Sequence, residues 1–352
     1  MTSAFRFAPI SVCAVRLWLF LERMGAHACA YIAFLLSWLN HRSGCIEEYW
    51  DGGYPLPVGG RIAVFVHYDR HGVVHDYVLY HLAELRRAGF AIVFVSNAPL
   101  LVPDALVALK GYCAVIARRR NLGYDFGAFK DGLTLIGDIE ALDELLLVND
   151  SVYGPFGDLS ALLERTDAER AVVWGITDSW EHGYHLQSYF LLFKQRALRS
   201  QAFRRFWRSV RYVQSKTWVV RRYEIGLSRA LIRDGLRCAA LFPYRQAAAE
   251  IREAVRIGDL LTSPLLDHRH RDYLAVLCHA VDQGQPLNGS HYFWDYLITE
   301  MGCPFLKREL LQKNPARVPF VHRWESVVAS GSNYDPDLIL RHLEGASRNR
   351  SV

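Results

Sequence analysis

The chain has 352 residues, 51% of them hydrophobic and 22% charged, enough to bury a large core and to form about two domains. Its formal net charge is +5, and with no aromatic-basic RNA motif or zinc-finger spacing it argues against nucleic acid and suits a phosphate-bearing ligand or an anionic membrane surface. Seven cysteines, scattered and never in a CxxC pair, argue against a disulfide framework or a structural zinc site and for a reducing compartment.

From Ile10 to Leu39 the chain is rich in Leu, Ala, Phe and Trp, interrupted by Arg16, Glu22 and Arg23. The clean stretch, Ala26 to Leu39, is about fourteen residues, short of the roughly twenty that a spanning helix needs. No small-residue cleavage site follows, so a signal peptide is not expected. A helical hairpin packed on the protein, a helix lying in the membrane interface and a true span all stay open for this apolar segment, residues 1–50.

"DGGYPLPVGG" (Asp51 to Gly60) reads as a linker. Then come an apolar β-branched run, Arg61 to Asp69, and an amphipathic helix, His75 to Gly89. Continuous apolar strands follow at Phe90 to Leu100 and Cys113 to Arg119, a helix at Phe126 to Gly137, and a strand at Glu144 to Asp150. Arg170 to Asp178 and Ser188 to Lys194 are two more strands. Near-continuous apolar strands alternating with helices predict an α/β fold: a mostly parallel sheet covered on both faces. The α/β domain spans residues 58–246, a helical extension spans 247–345, and a polar tail follows Gly345.

Four stretches carry candidate chemistry. In "ARRRNLGYDFGAFKDG" (Ala117 to Gly132), arginines end a strand, glycines make a turn and a helix begins near Asp125. Such a turn lets backbone approach an anion at a helix start, and Arg118, Arg119 or Arg120 would face a diphosphate. A solvated basic loop with Asp125 as the cap is the plainer alternative. No Walker or GxGxxG loop is present. In "ELLLVNDSVYGPF" (Glu144 to Phe156) a buried strand ends in Asn149-Asp150-Ser151. This triplet is either a turn or a site, since ligands of open α/β sheets bind beyond the carboxyl ends of strands and a carboxylate there can hold a divalent cation. In "HLQSYFLLFKQRAL" (His185 to Leu198), Gln187 and Ser188 stand at a strand start, downstream of the aromatics Trp174, Trp180 and Tyr184. In "VVRRYEIGLSRALIRDGLRC" (Val219 to Cys238), Glu224 opens an amphipathic helix, as a dipole partner or as a general base. By topology alone, a nucleoside would rest near His67, Asp69, Ser96 and Asn97.

Taken in order, "RRNLGYDFGAFKDGL", "LLLVNDSVYGPF", "WGITDS", "HLQSYFLLF", "FRRFWRSV", "YEIGLSRAL" and "HYFWDYLITEMGCPFLKRELLQKNP" resemble the rhamnan synthesis protein F family, over about Arg61 to Pro315. A more distant similarity is to inverting sugar transferases of the GT-A type, with an Asn-x-Gly turn, a strand ending in Asp-x-Asp and a later acid opening a helix. The resemblance implies a GT-A-like fold and a glycosyltransferase moving a deoxysugar from a nucleotide sugar, dTDP-rhamnose, to a lipid-linked or polysaccharide acceptor of the cell envelope, as in O-antigen or other lipopolysaccharide assembly. It implies a cytoplasmic protein, peripheral at the inner face of the cytoplasmic membrane. It makes Glu224 the base and matches Asn121 and Gly123 to the donor-side turn; the residue patterns above add Asp125, Arg119, Asn149 and Ser151 to the donor side, and topology alone adds Asn97. Gln187 and Ser188 fall on the acceptor side. Asp150 matches the second aspartate of the metal motif, but Val148 stands where the first would be, so a Mg2+ or Mn2+ cofactor stays open. A non-catalytic nucleotide-sugar-binding or scaffold component of a polysaccharide-assembly complex is the alternative. His291, Trp294 and Lys307 belong to the resemblance without an assigned role.

Overall fold

The computed structural model describes residues 12–40, 45–256 and 268–348. The start of the apolar segment, residues 10 and 11, and the end of the polar tail, 349–352, lie outside the described residues.

The N-terminal segment is one unbroken helix, α1 (Val12–Asn40), and not a hairpin. It contains no proline, and its single glycine, Gly25, continues the helix, so nothing in it turns the chain. No described helix is long and apolar enough to cross a membrane. The helix docks through Phe34, stacked on Trp218 at 4.4 Å, and through Trp38, which lies under the Arg211 guanidinium at 4.0 Å.

The strands are β1 (Ile46–Asp51), β2 (Gly60–His67), β3 (Ala91–Ser96), β4 (Val115–Arg119), β5 (Leu142–Asn149), β6 (Val152–Tyr153), β7 (Val173–Ser179), β8 (His185–Leu186), β9 (Phe190–Lys194), β10 (Cys238–Phe242) and β11 (Leu306–Lys307). Nine form one sheet in the order β1-β4-β3-β2-β5-β9-β7-β10, with β8 on β7. β2 runs parallel to β3 and β5, β3 to β4, and β7 to β10. β9 lies antiparallel between β5 and β7. The fold is therefore α/β with a mixed, mostly parallel sheet, as the apolar runs predict.

Both faces of the sheet are covered, which is why its central strands are apolar without interruption at Ile62–Val66, Ala91–Val95 and Leu145–Val148. Helix α2 (Asp76–Arg87) and the C-terminal segment cover one face, where Phe65, Phe94 and Val148 meet Phe305, Leu310 and Trp324. Residues after Ala247 thus share the sheet's core, and Trp294 packs within it. Helices α3 (Pro103–Lys110) and α4 (Tyr124–Thr134) follow β3 and β4, and on the second face Val64, Val95 and Leu147 meet Phe126, Phe129 and Trp207.

β1 lies inside the stretch read as helical, residues 1–50. "IEEYWD" has no apolar run because it is an edge strand, held to β4 by Glu47 and Glu48, which pair with Arg118.

Strand order decides where a ligand can sit. From β2 the chain proceeds to β3 and β4 on one side, then returns to place β5 on the other. The order reverses between β2 and β5, and ligands of open α/β sheets bind beyond the strand ends at such a reversal, here at His67 and Asn149.

Candidate functional site

Side chains alternate along β5, so its end delivers neighbouring residues to opposite faces. Leu145 and Leu147 face α4, and Asn149 follows them: its Nδ2 donates to Asp125 Oδ2 at 2.9 Å. Asn149 Oδ1 accepts from the Ser151 backbone N–H at 3.1 Å and from Ser151 Oγ at 2.6 Å. Leu146 and Val148 face the C-terminal segment, and Asp150 follows them. Asp150 Oδ2 accepts from the Tyr68 backbone N–H at 3.3 Å and from the Arg308 guanidinium at 3.1 Å.

Arg308 reaches that turn from far along the chain. β11 pairs antiparallel with β6, with Leu306 opposite Tyr153 and Lys307 opposite Val152. The Arg308 backbone N–H then donates to Ser151 O at 2.9 Å, and its guanidinium also donates to Tyr77 Oη. Beside it, the Lys307 ammonium stands 4.0 Å above the Tyr189 ring.

Glu224 does not open a helix as the sequence suggests: it ends a π-helical stretch, Val219–Glu224, that continues from Lys216–Trp218 and runs unbroken into Ile225–Arg233, so it stands inside the helix and not at its dipole end. Such widened turns often occur at functional positions. Its Oε1 accepts from both the backbone N–H and Oγ of Ser188, each at 2.8 Å. Oε2 takes no hydrogen bond from the described residues. Gln187 points elsewhere: its Oε1 accepts from Thr177 Oγ1 at 2.5 Å and its Nε2 donates to Asn288 Oδ1 at 3.2 Å.

These charges feel one another. Burial, then the neighbouring charges of Asp150 and Glu224, push the Asp125 carboxyl up to about 6. Burial lowers the Lys307 ammonium to about 8, against the pull of Glu224, Glu309 and Asp125. A carboxyl raised on folding contributes stability below its unfolded value of about 4, which is lost as pH rises through 6. Asp125→Asn keeps an oxygen for Asn149 and cannot ionise. The variant should match the native chain near pH 4 and exceed it by about 1–3 kcal/mol near pH 8, read by urea unfolding. A constant difference at both pH values would remove the charge cluster as its cause.

The turn before α4 is built for packing. Gly123 sits at φ +79°, and a Cβ there would meet the Tyr212 backbone at 2.8 Å. Its N–H donates to Gln214 Oε1 at 2.7 Å, and Gln214 Nε2 returns a bond to Asn121 O at 2.9 Å. Arg119 is wholly buried, donating to Asp131 Oδ2 at 2.5 Å, Asn97 Oδ1 at 2.5 Å and Leu122 O at 2.8 Å. Arg118 and Arg120 turn to the β1 edge, at Glu47 and Glu48. His67 bonds Ser96 at 3.1 Å, and Asp69 caps its own loop at His71 and Val73. The structure thus gathers Asp125, Asn149, Asp150, Ser151, Ser188 and Glu224, while Arg119, Asn97, Gly123 and Gln187 are engaged in packing around them.

A divalent cation does not suit this donor set. Val148 has no side-chain oxygen and is wholly buried. Asp150 Oδ2 is taken by a guanidinium and Asn149 Oδ1 by Ser151. Among the described residues no group of three or more His, Cys, Asp or Glu is arranged to hold a metal ion.

Sequence reasoning missed Arg308 and left Lys307 without a role. Their signal was the polar pair closing the apolar "CPFL", but a two-residue strand is too short to show a period.

Comparison with known proteins gives two kinds of likeness. Virulence protein VirA of Vibrio anguillarum is 29% identical over 282 residues, 78% of this chain and 87% of that protein. Among solved structures, the galactosyltransferase LgtC in complex with donor and acceptor sugar analogs is 14% identical, covering 78% of this chain and 98% of that one, with a TM-score of 0.36. The glycosyltransferase GlyE of Streptococcus pneumoniae is 12% identical, covering 82% and 64%, with a TM-score of 0.37. The model of the family described as rhamnan synthesis protein F matches residues 92–269, half of the chain, and the protein belongs to that family.

Proposed function

We propose that the chain is an inverting glycosyltransferase of cell-surface polysaccharide assembly. In this reading it moves rhamnose from dTDP-rhamnose to a growing glycan or lipid-linked acceptor. The observation that carries the reading is the meeting of Asp125, Asp150 and Glu224 at the sheet's reversal point, in a chain of a rhamnan-synthesis family. Asp125, Asn149 and Ser151 flank the donor, with Asn97 held behind them by Arg119, and Ser188, with Gln187 behind it, flanks the acceptor. Ser188 fixes Glu224 through Oε1, leaving Oε2 to take the proton of the acceptor hydroxyl. The acceptor oxygen attacks the anomeric carbon, the bond to the diphosphate breaks, and its electron pair leaves with the diphosphate.

A melting-temperature screen of the full chain against nucleotide sugars tests the reading, because a ligand of the folded state stabilises by mass action. dTDP-rhamnose should raise the midpoint above the other sugars. A panel in which none does so would defeat it. A second reading, a nucleotide-sugar-binding component without turnover, draws on the aliphatic Val148 in place of a carboxylate. Donor binding with no transfer to any acceptor would favour it.

The reading extends to the inner face of the cytoplasmic membrane. Met24, Ile32, Leu35 and Leu36 of α1 are each more than half exposed and recur at helical spacing, opposite the buried Ala30 and Ser37. Beneath the helix, a cavity of about 370 Å³ is lined by Arg221, Arg222, Arg229 and His27 and by no carboxylate. An apolar face bordered by arginines suits an anionic lipid surface. The full chain should co-sediment with vesicles containing anionic lipid. Ile32→Glu with Leu35→Glu should weaken that by about tenfold or more. Unchanged sedimentation would remove the membrane from the reading.

A further inference from the structure

Resting on the glycosyl-transfer reading above, we infer that Lys307 and Arg308 form the diphosphate-binding site and take the place of a divalent cation, so that donor binding needs no metal. Three observations meet here. The carboxylate best placed for a cation, Asp150, already holds a guanidinium at Oδ2, and displacing it would also break the Arg308 bond to Tyr77. Arg308 is fixed at both ends, because its backbone N–H is tied to Ser151 O and β11 is laddered to β6. Lys307 is different. Its ammonium sits over the Tyr189 ring and has no ion pair or hydrogen bond among the described residues. It is an uncommitted cation in a largely buried setting, among the charges of Glu224 and Asp125.

That is the condition in which a fixed positive group is most useful to a leaving group. Donors placed in advance in a water-poor site cost no reorganisation when charge develops. As the bond from the anomeric carbon to the diphosphate oxygen breaks, the electron pair stays on that oxygen, and Lys307 Nζ meets the new charge. The acceptor's proton goes to Glu224, so neither side needs a further reactant. Arg308 supplies the second positive charge and holds Asp150 away from the diphosphate. The arginines before α4 cannot easily do this work, since Arg119 is sealed inside the domain and Arg118 is held by Glu47 and Glu48.

Calorimetry on the full chain with dTDP, UDP and GDP, in EDTA and then in Mn2+, tests the inference. At least one diphosphate should bind, with affinities in the two buffers agreeing within about threefold, and Lys307→Met should weaken it by about tenfold or more in both. Lys307→Arg should retain most of the binding. Arg308→Met, which uncovers Asp150, should lose more affinity in EDTA than in Mn2+, a dependence that mere loss of packing would not create. Binding by the native chain only with Mn2+ or Mg2+ overturns the inference and leaves the glycosyl-transfer reading standing. Native affinity in a folded Lys307→Met also overturns it. Should that variant not fold, Lys307→Arg and the two-buffer comparison on the native chain decide. No binding of any diphosphate in either buffer overturns the transfer reading itself, and the inference with it.

Discussion

Turnover by Glu224→Gln should fall by about 10²–10⁴-fold, the usual contribution of a positioned general base. The amide oxygen can still accept both bonds from Ser188, so the local geometry survives. What is lost is the capacity of the second oxygen to take a proton. Donor affinity should therefore stay near the native value, because the proposed reading puts the donor on Asp125, Asn149 and the residues around them and not on Glu224. Glu224 stands within the continuous helical run 216–233, away from either dipole end, and keeps its Ser188 bonds as Gln, so the melting temperature should hardly move. Steady-state rates with a fixed donor and acceptor, beside a melting curve, separate a base from a residue that only braces Ser188. Normal turnover would remove Glu224 from the mechanism. Asp125 would then come first as the replacement, because Asp178 is committed to the Tyr244 backbone N–H at 2.6 Å.

The same geometry shows how far the residues alone could be read. β2, β3 and β5 were legible because a strand buried on both faces must be apolar throughout, and few other segments are. The acidic turn was legible as a candidate because it ends such a strand. Direction was harder. Arg119 looks available as one of three successive arginines, yet it shares a face of β4 with Val115 and Ala117, and that face is the core. Alternation could have shown it. Asn149 and Asp150 are adjacent in sequence but serve different faces, one meeting α4 and the other the C-terminal segment. What could not be read locally is the return of residues 306–308 onto 151–153. Two residues of strand carry no periodic signal, and the pairing is fixed by the apolar packing of Phe305, Leu306 and Leu310 against the sheet.

The largest expected loss of stability follows from Arg119. Its guanidinium is wholly buried and spends its donors on Asp131, Asn97 and the Leu122 carbonyl. Tyr212 donates its hydroxyl to the other oxygen of Asp131. Arg119→Met fits the space but leaves the Asp131 carboxylate buried without its counter-charge. Breaking one side of such a pair typically costs about 3–5 kcal/mol. Lysine should not rescue it, since one ammonium cannot reach a carboxylate, an amide and a carbonyl set around a planar fork. Removing the second charge as well, in Arg119→Met with Asp131→Leu, should recover part of the loss, because the main penalty is the unpaired carboxylate and not the missing attraction. Urea unfolding of the two variants and the native chain measures both quantities. A cost below about 1 kcal/mol for Arg119→Met would mean that the pair behaves like an exposed one. The consequence reaches the site through Leu122: once its carbonyl is released, the turn that sets Gly123 and starts α4 at Tyr124 loses a support. Activity of Arg119→Met should then fall even where the chain remains folded, through a weaker hold on Asp125 and not through any contact of Arg119 with a sugar.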